Sequence, residues 1–183
     1  MDEYCFKERN LGKEAPYSSK IVCGFMLIEL LVALAIIIIL AVMTVPSLRS
    51  TLMDARIKAA ADIFTQQIQV ARSEAVERQQ NVYLVLTPGS NWCSAINANS
   101  SCTCSPTNTC SINFINYADY LGVSLLAPVG FSGGSIYFDS TRGLPNQAAQ
   151  VSFQDNSKTI TVSVNALGQI SVCSTNVTGY PSC

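Results

Sequence analysis

Residues 30–45 read LLVALAIIIILAVMTV, sixteen positions with one hydroxyl and no charge, and FMLI with the single Glu29 precedes them. Counted from Phe25 to Val45 the segment is 21 residues long, enough at about 1.5 Å per residue to cross a hydrocarbon layer of about 30 Å. This run constrains the chain more than any other feature. A cleaved secretory signal would need a shorter apolar region and an A-x-A-like cut site, whereas Met43, Thr44, Val45 and Pro46 stand there. A buried core helix would need a protein body able to surround sixteen apolar positions, and 183 residues are too few. A membrane helix is therefore predicted. Glu29 is the anomaly in it, since a carboxylate in an apolar segment costs a few kcal/mol and points to a partner or a function. The plainer reading has Glu29 at the membrane interface with its head in water, although four apolar residues precede it.

The rest of the composition excludes more than it suggests. Lys plus Arg number 11 against 12 Asp plus Glu, so no overall charge attracts nucleic acid or anionic lipid. Histidine is absent, which removes Ser-His-Asp and Cys-His catalysis, histidine metal sites and the usual general base near neutral pH. No catalytic residue, metal site or cofactor is predicted. The length suits one domain plus a long helix.

The string Gly24-Phe25-Met26-Leu27-Ile28-Glu29-Leu30-Leu31-Val32 resembles the processing site of type IV prepilins and type II secretion pseudopilins, whose common form is G-F-T-L-I-E-L; Met26 replaces the usual threonine. The resemblance implies cleavage between Gly24 and Phe25 by a prepilin peptidase, N-methylation of Phe25, and a role for Glu29 in neutralising the terminal amine of its own or a neighbouring subunit during filament assembly. Pairing an ammonium with a carboxylate offsets much of the solvation both lose. Pro46 stands where many pilins carry a kinking proline, and it removes one helical hydrogen bond, so a bend or local melting is expected there. Residues 1–24 would be a cleaved leader, longer than family leaders usually are, with four basic and four acidic residues.

Beyond the apolar run, Ile57, Ala60, Ala61, Phe64, Ile68, Ala71 and Ala75 recur at spacings of three and four and define one helical face. Arg56, Lys58, Asp62, Gln66, Gln69, Arg72 and Glu77 occupy the other. Asp54 with Lys58 and Glu74 with Arg78 are favourable i, i+4 pairs. The helix is predicted to continue over 47–80, giving a rod about 80 Å long from Phe25. Its A-R-S-E-A segment, 71–75, is similar to the end of this helix in the GspH/FimT group; Arg72 and Glu74 are read as a solvated helix face.

After Asn81 the period becomes alternating. Residues 82–86, 135–139, 150–154, 159–165 and 169–174 read as strands, with turns at Pro88, Gly130, Gly133, Gly134, Gly143, Asn156 and Gly168. The fold class is α+β, a long N-terminal helix packed on an antiparallel sheet or small sandwich formed by 81–183. Cys93, Cys102, Cys104, Cys110, Cys173 and Cys183 follow the apolar run, an even six that suggests three disulfides in an oxidising compartment and a pinned Ser/Asn-rich loop over 90–111. Fifteen pairings are possible. A metal site at Cys102, Cys104 and Cys110 is the weaker alternative, lacking paired C-x₂-C spacing and histidine.

The expected product is a minor pilin or pseudopilin with no catalytic role. It has a leader (1–24), a membrane and assembly helix (25–46), an amphipathic continuation (47–80) and a periplasmic or extracellular β domain. Its partners would be other pilins or pseudopilins, the prepilin peptidase and the bacterial inner membrane as a single-pass protein, before transfer to a pilus or secretion pseudopilus. The alternative is a tip protein for DNA uptake or adhesion. The ending 168–173 is placed like the G-R-x-R-x-C of DNA-binding relatives, but Gln169 and Ser171 replace the arginines. After Gln80 only Arg142 and Lys158 stand against Asp119, Asp139 and Asp155, a poor surface for phosphate. Trp92, the only tryptophan, is either an exposed anchor for such binding or a packed residue beside a disulfide.

Overall fold

A computed structural model describes residues 5–6, 22–23, 27–104, 108–155 and 157–183, with side chains described from 27 onward except at 43–48. The chain divides into two compact units, Met1–Leu48 and Arg49–Cys183. In the first, two short antiparallel strands, β1 (Cys5–Phe6) and β2 (Val22–Cys23), pair with each other. The helix α1 (Leu27–Arg78) begins in this unit and ends in the second. Its helical backbone continues through position 46.

Among the described residues the second unit holds eight strands in two four-stranded antiparallel sheets. The first sheet has the order β5-β4-β3-β7, formed by β3 (Val82–Thr87), β4 (Cys93–Asn97), β5 (Asn113–Asn116) and β7 (Ser135–Phe138). The second has the order β10-β9-β8-β6, formed by β6 (Ser124–Leu125), β8 (Ala149–Asp155), β9 (Lys158–Val164) and β10 (Ile170–Thr175). The architecture is α+β, as the change of period after Asn81 predicts.

All seven residues of the predicted apolar stripe, from Ile57 to Ala75, are buried with at most 2% exposure. Four of them are alanines, which let the sheets approach the helix closely, while Phe64 fills the space between. Val82, Leu84, Ile136 and Phe138 from one sheet and Val151, Phe153, Ile160 and Val162 from the other join that stripe in a single core. Phe153 makes edge contacts with Phe64 and Trp92, at centroid distances of 5.7 and 5.2 Å. Burying large aromatics from the helix, a strand and the β3–β4 connection in one place sets the relative position of helix and sheets within this unit.

Three strands escape the alternation rule. Every residue of β4, CSAIN, is buried, because Cys93 and Ala95 lie beneath Cys102, Cys104 and Cys110 on the outer face of the first sheet, while Ile96 faces the main core. A strand covered on both faces shows no period of two. The predicted loop over 90–111 therefore contains a strand as well as a crosslinked crossover. β5 is only four residues long and β6 two, too short for a pattern to register.

Candidate functional site

Three regions carry the residues that the sequence singles out. In the first, Glu29 lies in the first turn of α1, where a carboxylate is favoured by the helix dipole. Every side chain at 27–42 is exposed, with Leu27 at 77% and Val42 at 70%. An apolar surface running right around a helix has no stable place in water and calls for apolar surroundings. Among the described residues no helix is long and apolar enough to cross a membrane; side chains are described within the predicted span only at 27–42. Gly24 and Phe25 lie outside the described residues, and of the Pro46 side chain nothing is described.

The second region is the C-terminal third of α1, and here the solvated reading of Arg72 is corrected. Its Nε donates to the carbonyl of Gly143 at 3.0 Å and its Nη1 to that of Gly168 at 2.8 Å. Gly143 sits in the β7–β8 connection and Gly168 in the β9–β10 turn. One guanidinium thus ties the helix to both sheets, a task suited to its planar fork of donors. Both glycines have positive φ, 61° and 76°, and a Cβ would lie 2.9 Å from the Arg72 carbonyl oxygen at Gly143 and 3.1 Å from the guanidinium at Gly168. Glu74 pairs with Arg78 as predicted. Asp54 does not pair with Lys58: its carboxylate meets Lys158 of β9, a partner 104 residues away that helical spacing could not reveal.

One turn earlier, Gln67 lies 2% exposed in the apolar stripe. Its amide accepts from the Ser94 hydroxyl and donates to the Asn113 side chain at 2.9 Å. A buried amide on an apolar face locks helix register against β4 and β5 only because its polar atoms are satisfied. The signal was present in the spacing, since position 67 falls between Phe64 and Ile68 on the buried side.

The third region is the crosslinked β domain. Cys93 pairs with Cys104, Cys102 with Cys110 and Cys173 with Cys183, so these thiols form bridges rather than a metal site. The first two bridges interleave in sequence, and the third ties the chain's end to β10. Trp92 is 1% exposed; its Nε1 donates to the Val123 carbonyl at 2.9 Å and its ring stacks on Tyr120. It is a packed core residue and cannot be an exposed anchor. Gln169 accepts from the Asn165 side chain and Ser171 shares a hydroxyl contact with Ser163, local turn and strand contacts. Backbone N–H groups of Arg142 and Thr141 hold the Asp139 carboxyl below the usual carboxylate range. The Tyr180 hydroxyl, shielded by burial and donating to Asp62 on α1, is pushed up to about 12.

Residues 60–168 match the family described as type II transport protein GspH, a stretch running from the helix stripe through the β9–β10 turn. No curated protein matches the chain. Among solved structures, two crystal forms of the type IV minor pilin FimU of Pseudomonas aeruginosa are similar to it at 16% identity and a TM-score of 0.48. They cover 63% of this chain and 90% and 87% of their own.

Proposed function

We propose that this chain, which belongs to the GspH family of type II transport proteins, is a minor pilin or pseudopilin whose task is assembly and not catalysis. The observation that carries the reading is the G-F-M-L-I-E string at 24–29, placed directly ahead of an apolar run whose described side chains are all exposed. Such a surface is satisfied first by lipid and later by the equivalent helices of neighbouring subunits. Removal of residues 1–24 would leave Phe25 as a methylated terminus and Glu29 as the fifth residue of the mature chain, within reach of its own or a neighbour's amine. The crosslinked β domain would then stand outside the inner membrane, where disulfides persist. Lys158, one of two basic residues after Gln80, is held by Asp54, which weighs against a DNA-binding surface.

The test is a Glu29→Ala chain expressed with its partner filament proteins. Intact mass should show both chains lacking residues 1–24, carrying one methyl group and lacking six hydrogens, while only the wild type is recovered in sheared filaments. Normal incorporation of the variant would overturn the role assigned to Glu29, and a mass that retains residues 1–24 would overturn the processing step.

A further inference from the structure

A cavity of about 310 Å³ opens between α1 and β5 in the second unit, clear of Arg72 and of the disulfides. β5 is an edge strand. Its register places Asn116 opposite Cys93, Ile115 opposite Ser94 and Phe114 opposite Ala95, and Tyr117 N–H donates to the Trp92 carbonyl at 3.0 Å. In an antiparallel pair alternate residues face the partner strand, so the N–H and C=O of Phe114 are directed away from β4 toward the open edge. Ile63, Val70 and Ile115 contribute apolar surface to the cavity lining, and Val70 is 36% exposed; Phe114, opposite Ala95, meets the cavity at the strand edge.

The polar part of the lining is Gln66, Asn113, Asp119 and Tyr120, with the buried Gln67 behind them. Among the described residues the side chains of Gln66 and Asp119 and the Tyr120 hydroxyl have no hydrogen-bond partner, while Asn113 uses its carbonyl oxygen on Gln67 and keeps its amide donor. Among the described residues Asp119 is the one charged group of the lining. Convergent polar groups around an apolar recess of this size are the ordinary make-up of a ligand site. An unpaired strand edge beside it selects an extended backbone.

We propose that this cleft takes an extended peptide segment of a partner protein, which adds to the β5 edge and sets a lysine or arginine side chain against Asp119 with an apolar neighbour over Val70. The main chain would supply affinity through the Phe114 backbone, and the acid would supply the choice of sequence. The site belongs to the folded unit from Arg49 onward, so its occupancy does not depend on cleavage at Gly24 or on Glu29.

The full chain in detergent is titrated with three fluorescein-labelled nonapeptides of alternating valine and threonine: one with a central lysine, one with a central glutamate, and a lysine peptide with proline at alternate positions. Anisotropy measures binding, and the emission of Trp92, stacked on Tyr120 at 5.7 Å, reports occupancy of the cleft. The lysine peptide should bind about fivefold more tightly than the glutamate peptide, the effect of one exposed charge contact, and the proline peptide should not bind. Asp119→Asn, a change at an exposed position, should abolish the lysine preference. Val70→Ser should weaken all binding, and Leu167→Asp, on the β9–β10 turn, should change nothing. Equal affinity for the lysine and glutamate peptides, binding of the proline peptide, or competition by lysine amide as effective as by the peptide would each overturn the proposal, as would no binding at millimolar peptide.

Discussion

Arg72→Ala tests whether one guanidinium holds the helix to both sheets. Two hydrogen bonds are lost, at 3.0 Å to Gly143 and 2.8 Å to Gly168, and a bond to a charged donor contributes about 1.5 to 3 kcal/mol. The Arg72 side chain is half-buried, so water reaches the freed carbonyls and recovers part of that. The net loss should be about 2 to 4 kcal/mol, a large share of the stability of an ordinary domain. For a unit spanning Arg49–Cys183 each kcal/mol moves the melting temperature by about 3 to 5 °C, so a fall of roughly 6 to 20 °C is expected. Arg72→Lys keeps the charge but presents one ammonium where two separated donors are needed, and should restore no more than about half. The assay is urea and thermal unfolding of the full chain in detergent, followed by Trp92 emission and near-ultraviolet circular dichroism, which report the second unit and not the apolar turns. A loss under about 0.5 kcal/mol for Arg72→Ala, the range of ordinary surface changes, or a lysine variant as stable as wild type, would refute the clamp.

Gln67→Leu should cost about 1 to 3 kcal/mol by orphaning the buried Ser94 hydroxyl, and adding Ser94→Ala should cost less than the sum of the two single changes; strict additivity in urea unfolding would deny the coupling. Removing the Cys102–Cys110 bridge with paired serines should lower stability by about 2 to 3 kcal/mol, seen as a lower urea midpoint, and an unchanged midpoint would mean the loop is held by packing alone. Tyr180 is more easily kept neutral in the folded chain, mainly through burial and then through its bond to Asp62, with its ionisation at about 12 against an ordinary value near 10. A folded value raised above the unfolded one contributes stability that is complete below about pH 10 and disappears as pH rises toward 12. Tyr180→Phe should therefore flatten the loss of stability in that window, and an identical pH profile for both chains would sink the assignment.

The helix was readable because its pattern is local. Spacings of three and four pick out Ile57, Ala60, Ala61, Phe64, Ile68, Ala71 and Ala75 whatever they pack against, and all seven are in the core. The longer strands were equally readable, β8 and β9 within a residue or two of their expected ends, because one face meets the core and the other meets water. β4 was hidden for the opposite reason. The bridge from Cys93 to Cys104 folds a loop over its outer face, burying the side on which a polar alternation would have appeared. Glu74 with Arg78 was legible as a pair four residues apart, while Asp54 was given the wrong partner because Lys158 reaches it only through the sheet.

The amino-acid order alone determined what depends on neighbours along the chain: an apolar segment with one carboxylate, an amphipathic stripe, a change of period after Asn81, and an even set of cysteines beyond the apolar run. Only the tertiary structure decided what depends on partners far apart in sequence. It chose three bridges out of fifteen pairings, turned Arg72 from a surface charge into a two-sheet clamp, buried Trp92 under Tyr120, and opened a cleft between α1 and the free edge of β5. The division has a physical cause. Periodicity records which side of an element is dry, and it carries no information about which distant group makes it so.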